Sequence, residues 1–175
     1  MIFLMILELV LLVIVVLAAI NFFNIVFRGF APFFSAKPEV IATIINDIKL
    51  TKDQEVYELG AGTAKFLRGL EAKYPQAKLI GVEYSWFPYL LTKIRLTKAK
   101  SKIDLRREDL FKTNLSRAAL IYCYLAPDMM VRLSEKIQKE CRPGTIVVSY
   151  LFSIPNLPWH KTLEVGGNKI YFYQL

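Results

Sequence analysis

The stretch Val56-Tyr57-Glu58-Leu59-Gly60-Ala61-Gly62-Thr63-Ala64 constrains the fold more than any other part of this 175-residue chain. An apolar run ends in a carboxylate, passes two glycines separated by one residue, and enters helical periodicity. A strand that feeds a helix this way calls for a parallel neighbour, because the crossover helix carries the chain back to start a strand in the same direction. Leu79-Ile80-Gly81-Val82 supplies that neighbour and also ends in an acid, Glu83. The distance between glycines and second acid, roughly 20 residues, is that of one β-α-β unit.

The same alternation continues along the chain. Strands are expected over 54–59, 78–83, 103–107, 118–124 and 145–152, and helices over 64–74, 86–98 and 128–141. Pro75 and Pro143-Gly144 close two of the helices. A further helix opens near Ser35, its expected cap, with Pro38 in the first turn and Val40, Ile41, Ile44, Ile45 and Ile48 on one face. Residues 162–165 and 169–174, joined around Gly166-Gly167-Asn168, read as a hairpin. The expected fold class is therefore α/β, a Rossmann-like sheet with a C-terminal antiparallel hairpin.

Residues 1–27 stand apart. They contain no Lys or Arg and one acid, Glu8, and every residue from Leu9 to Ile20 is apolar. About 20 apolar residues cross a bilayer as a helix. The segment has neither the basic start nor the small-residue cleavage site of a removed signal. One N-terminal transmembrane helix over 1–27 is expected, spanning Leu9–Phe27 with Glu8 at the outer interface. A connector over 28–37 follows, in which Gly29 and Pro32 break the helix and Phe30, Phe33 and Phe34 lie in the membrane interface. Residues 38–175 form the domain. All 23 Lys and Arg lie at or beyond Arg28, whereas Glu8 alone of the 15 acids precedes it. The positive-inside rule then makes the protein single-pass with a cytoplasmic body. Cys123 and Cys141 lack metal-site or disulfide-framework spacing and read as reduced thiols, so no metal site is expected.

Glycines at this spacing let backbone approach a ligand, and an acid at the end of the second strand accepts ribose hydroxyls. The form E-x-G-x-G resembles motif I of class I S-adenosylmethionine (AdoMet) methyltransferases. A nicotinamide fingerprint would want a glycine at position 65, which is Lys. The resemblance implies AdoMet as cofactor, with Glu58 orienting its methionine ammonium, Gly60 and Gly62 admitting it, and Glu83 holding the ribose. Asp109 would approach the adenine amine, with Glu108 as the alternative acid, and Leu110 or Phe111 would cover the ring. Position 64, often glycine in the family, is Ala. Tyr124, Leu125 and Pro127, leaving the fourth strand, would shape the substrate site.

Three further segments narrow the likeness. Ser35-Ala36-Lys37-Pro38-Glu39-Val40, Asp109-Leu110-Phe111-Lys112-Thr113-Asn114-Leu115-Ser116 and Leu125-Ala126-Pro127-Asp128-Met129-Met130 are similar to the ATP synthase c-subunit lysine N-methyltransferase family and its adenine-nucleotide-translocase-modifying relatives. That resemblance implies lysine methylation on a membrane-embedded protein, at the inner mitochondrial membrane if the source is eukaryotic. Two alternatives remain open: methylation of a lipid or small lipophilic molecule, and a noncatalytic membrane-anchored nucleoside-binding scaffold. His160 reads as a loop residue before the hairpin. Lys93, Arg95, Lys98, Lys100, Lys102, Arg106 and Arg107 form a basic stretch that suits a solvated face or anionic lipid. No stacking aromatic motif interleaves these charges, which disfavours nucleic acid.

Overall fold

The computed structural model describes residues 2–28 and 35–175. The chain divides into two compact units, Met1–Phe34 and Ser35–Leu175. In the first, α1 (Ile2–Arg28) is one apolar helix, and its stretch Ile2–Ile20 has a mean hydropathy of 3.2 with none of its residues buried. Length and composition suffice for a membrane span. The helix begins earlier than the sequence reading placed the span, and the candidate stretch Ile2–Ile20 includes Glu8. Most of the expected connector, residues 29–34, falls outside the described residues.

The second unit opens with α2 (Pro38–Asp47), which buries Val40, Ile41, Ile44 and Ile45 as the periodicity required. Ser35 does not cap it. Lys37 occupies the cap position without a side-chain bond, and the Ser35 hydroxyl instead meets the Thr63 hydroxyl at 3.0 Å. Then follow β1 (Glu55–Leu59), α3 (Lys65–Lys73), β2 (Lys78–Val82), α4 (Trp86–Lys98), β3 (Asp104–Arg106), β4 (Ala118–Cys123), α5 (Pro127–Glu140), β5 (Ile146–Tyr150), β6 (Lys161–Val165) and β7 (Asn168–Gln174).

The strands form one sheet in the order β3-β2-β1-β4-β5-β7-β6. The first five run parallel, β7 runs antiparallel to β5, and β6 antiparallel to β7. The β6–β7 loop is Gly166-Gly167, with φ of +57° and +77°, a conformation that a two-residue hairpin turn asks of both positions. Asn168 already pairs with Val165.

Alternate strand residues feed two apolar layers. Val56, Leu120, Tyr122, Val148 and Phe172 pack with α2 and α3, and Tyr57, Leu59, Ile121, Cys123 and Val147 pack with Met130, Leu133 and Ile137 of α5. Glu58, the next-but-one residue after Val56, therefore shares its face and lies on the α3 side. Gly81 in β2 keeps this packing tight. A Cβ there would lie 2.9 Å from Leu105 Cδ1, 3.2 Å from Ala61 Cβ and 3.3 Å from Leu67 Cδ1.

Gly81→Val should thus overpack the junction of β2, α3 and the glycine loop. The expected loss is about 1–3 kcal/mol, read as a lowered denaturant midpoint with unchanged slope.

Candidate active site

The order in which strands are added across the sheet reverses between the parallel neighbours β1 and β4, so a crevice opens beyond their C-terminal ends. The glycine loop lies there. Gly60 (φ +71°) and Gly62 (φ +51°) both adopt the left-handed region. A Cβ on Gly60 would come within 2.8 Å of Leu125 Cδ2. At Gly62 the nearest atom to such a Cβ is the Gly60 carbonyl oxygen, 3.9 Å away. The first glycine thus permits contact with the β4 exit, and the second leaves main chain uncovered toward open space. Ala64 is also left-handed, φ 50°, and fully buried. Its methyl is tolerated at a strain of roughly 1–2 kcal/mol.

The loop is held from three directions. The Gly60 and Ala61 amides both donate to the Val82 carbonyl, at 2.9 and 2.8 Å. The Thr92 hydroxyl on α4 donates to the Gly62 carbonyl at 2.6 Å. The buried Glu83 carboxylate accepts from the Gly62 amide at 2.9 Å with one oxygen and from the Ser85 amide at 2.8 Å with the other. A carboxylate has about four acceptor positions, so each oxygen keeps capacity for a ligand hydroxyl.

Glu58 is also buried, and its Oε2 accepts from the Leu67 amide at 3.2 Å, in the first turn of α3. Burial, with the Glu83 charge adding to it, pushes its carboxyl up to about 8 against the opposing pull of the Leu67 and Phe66 amides. The free protein at neutral pH therefore holds Glu58 largely protonated. An ammonium brought beside it would favour the carboxylate. Across the β1–β4 register from Glu58 stands Tyr122, stacked on Phe66 with ring centroids 4.2 Å apart. The Tyr122 hydroxyl is buried and has no hydrogen-bond partner among the described residues. An acid awaiting a cation, an orphaned hydroxyl and open space at Gly62 suit the amino-acid end and nucleoside of AdoMet.

Asp109 lies in the loop after β3. Its Oδ1 accepts from the Phe111 amide at 2.9 Å, and its carbonyl accepts from the Lys112 and Thr113 amides. Its second carboxylate oxygen takes no part in those bonds. Leu110 is buried in the apolar layer with Leu59, Val82 and Leu115, and Phe111 carries the Arg132 guanidinium 3.9 Å from its ring centroid. Glu108 Oε1 is buried with no partner among the described residues.

On the substrate side, Tyr124 meets Tyr150 edge to face, centroids 4.8 Å apart. Burial raises the Tyr124 phenol, and the neighbouring Tyr150 adds to this. Leu125 is buried against Gly60. Pro127 is the first residue of α5, and the Ala126 carbonyl accepts from the Met129 amide at 3.1 Å. The β1, β2 and β4 exits thus bring Glu58, Gly60, Gly62, Glu83, Tyr124 and Leu125 to one edge of the sheet. His160 is exposed at the start of the outer strand β6, its amide donating to Phe172. A surface depression lined by Leu50, Thr51, Pro75 and Gln76 lies at the opposite edge, where β1 and β2 begin.

Sequence reasoning missed Thr92, Tyr122 and Tyr150. Thr92 had a signal, since it falls between Pro88 and Leu96 on the buried face of α4. The Phe66–Tyr122 stack and the Tyr124–Tyr150 pair join separate elements and leave no local trace.

Comparison with known proteins agrees with this geometry. The ANTKMT methyltransferase domain model matches residues 58–161, more than half of the chain. A protein-lysine N-methyltransferase of Saccharolobus islandicus (strain REY15A) is 25% identical over 148 residues, covering 81% of this chain and 92% of the relative. Among solved structures, an RNA methyltransferase from Salinibacter ruber in complex with S-adenosyl-L-homocysteine has a TM-score of 0.75 at 20% identity, covering 81% of this chain and 93% of that one. A precorrin-6y C5,15-methyltransferase from Geobacter metallireducens GS-15 has a TM-score of 0.68 at 12% identity, covering 85% and 95%. The two structural likenesses establish the fold, a Rossmann-like methyltransferase sheet.

Two expectations follow from the acids. Glu83→Ala removes the charged acceptor of the Gly62 and Ser85 amides that shapes the glycine loop, and should weaken AdoMet binding about 10–100-fold by calorimetry. The Glu58 proton sets a pH dependence. Between its ordinary value of 4.5 and about 8 the folded protein keeps a proton that the unfolded chain has lost. Stability without cofactor should therefore fall as pH rises through that window. AdoMet affinity should rise over the same window and level off above about 8. Glu58→Gln should flatten both profiles.

Proposed function

This chain belongs to the ANTKMT methyltransferase family, and from that premise we propose that it is a membrane-tethered enzyme that N-methylates a lysine of a membrane-associated protein, with AdoMet as methyl donor. The observation that carries the reading is the seating of Leu125 on Gly60, with the Tyr124–Tyr150 pair beside it. This contact locks the β4 exit to the glycine loop, so any group aligned by Tyr124 is aligned to the cofactor as well. The protein-lysine N-methyltransferase of Saccharolobus islandicus supports the choice of lysine, and the apolar helix α1 supports a membrane tether.

When bound, AdoMet supplies an electrophilic methyl group to an attacking amine. Glu58 would take its ammonium, Glu83 its ribose hydroxyls, and the unengaged oxygen of Asp109 its adenine amine. The incoming lysine must be neutral, against an ordinary pKa near 10.4. Tyr124 and Tyr150 offer aromatic surface that strips water from the amine and so lowers that value. The Tyr124 phenol does not serve as the base, because burial raises it and keeps its proton in place. The proton leaves to water, and most of the acceleration is alignment.

Tyr124→Ala should lower kcat/KM about 10–100-fold while AdoMet affinity stays within about twofold. For the substrate class, the full-length protein is incubated with membranes and methyl-tritiated AdoMet. Label is expected in protein, as methyl-lysine after hydrolysis. Label confined to the lipid extract would establish a lipophilic substrate instead. Tight AdoMet binding without any transfer would establish a scaffold.

A further inference from the structure

Helix α4 carries an apolar face that the catalytic reading does not use. Its inner side buries Pro88, Thr92 and Leu96, one residue in four. Its outer side repeats that spacing with Trp86, Leu90 and Ile94 and, beside them, Phe87 and Leu91. These five are 57%, 36%, 45%, 52% and 49% exposed. A helix on the surface of a water-soluble body places charged residues there. A contiguous apolar stripe marks an interaction surface instead.

The charge around the stripe identifies the occupant. Lys93 and Arg95 flank it, and Lys98, Lys100 and Lys102 extend from its C-terminal end, all exposed. Among the described residues none of these five forms an ion pair, and the nearby acid Asp104 is already paired with Arg106 at 2.7 Å. Trp and Phe concentrate at the boundary between acyl chains and headgroups. Long basic side chains reach outward to anionic headgroups while their stems lie on apolar surface. Apolar centre, aromatic residues and basic rim match a helix lying in the bilayer interface.

We propose that the outer face of α4 docks onto an anionic lipid bilayer. The proposal rests on the tether described above. Six residues separate Arg28 from Ser35, so the chain between them reaches about 25 Å at most. A spanning α1 would keep the body that close to lipid. α4 begins directly after Ser85, whose amide holds Glu83. Docking would therefore set the cofactor crevice beside the headgroups, where a lysine projecting from a membrane protein is found.

The chain has two tryptophans, Trp86 and Trp159, so Trp159→Phe leaves Trp86 as the sole reporter. The full-length variant is reconstituted in vesicles of phosphatidylcholine with or without phosphatidylglycerol, each made with acyl-brominated lipid. In the anionic vesicles Trp86 emission is expected to shift blue and to be quenched roughly twofold, as for a ring about 5–10 Å below the headgroups. Replacing Lys93, Arg95 and Lys98 by Gln should lower the docked-to-undocked ratio about fivefold per residue. Ile94→Glu should abolish quenching with AdoMet affinity intact, which shows that the body is folded. Protein that floats with the vesicles while Trp86 stays unquenched and open to iodide overturns the docking and leaves the tether standing. Failure to float overturns both. A blue shift that depends on protein concentration and not on lipid composition also overturns the proposal, because it assigns the face to a second copy of the chain.

Discussion

The Glu83 carboxylate bonds two main-chain amides from different segments, Gly62 in the loop after β1 and Ser85 before α4. Glycines in the left-handed region have wide conformational freedom, and a loop made of them costs entropy to fix. Glu83 fixes it with a charge-assisted acceptor, and Thr92 restrains the following peptide group through the Gly62 carbonyl. The crevice is thereby shaped before any ligand enters. The acid proposed to bind ribose is also the one that holds the loop in place.

The second buried acid works differently. Glu58 meets the first turn of α3, where the cap residue Ala64 offers no side-chain acceptor. Burial costs it its charge in the free protein. Glu83 accepts from its two amides at 2.9 and 2.8 Å, whereas the Leu67 amide meets Glu58 at 3.2 Å, so the two carboxylates are not equivalent. One is committed to structure and remains available to hydroxyls. The other is left for a cation to ionise. The orphaned Tyr122 hydroxyl across the register belongs to the same unfinished polar interior.

Much of the fold was legible in the residues. Strand and helix positions agreed to within a residue or two at most boundaries, because apolar runs bounded by Gly and Pro leave few alternatives. Gly60, Gly62, Glu58 and Glu83 were legible because glycine and carboxylate at strand ends carry a specific chemistry. The helix start at Ser35 misled, since a hydroxyl near a helix start has other partners, here Thr63. The outer face of α4 was visible as charge alone. Its apolar stripe reads in sequence like an ordinary core face, and only burial of the opposite side separates the two.

The sequence by itself determined the order of elements, the glycine loop, the two acids and an apolar N-terminal helix long enough to cross a bilayer. Each depends on local periodicity or on a residue type whose chemistry is its own. Tertiary structure decided the rest: that Leu125 rests on Gly60, that Glu83 ties Gly62 to Ser85, that Glu58 is buried to the point of holding its proton, and which side of α4 faces out. Those facts arise from contacts between residues far apart in the chain, and burial and register, which set them, exist only once the sheet has formed.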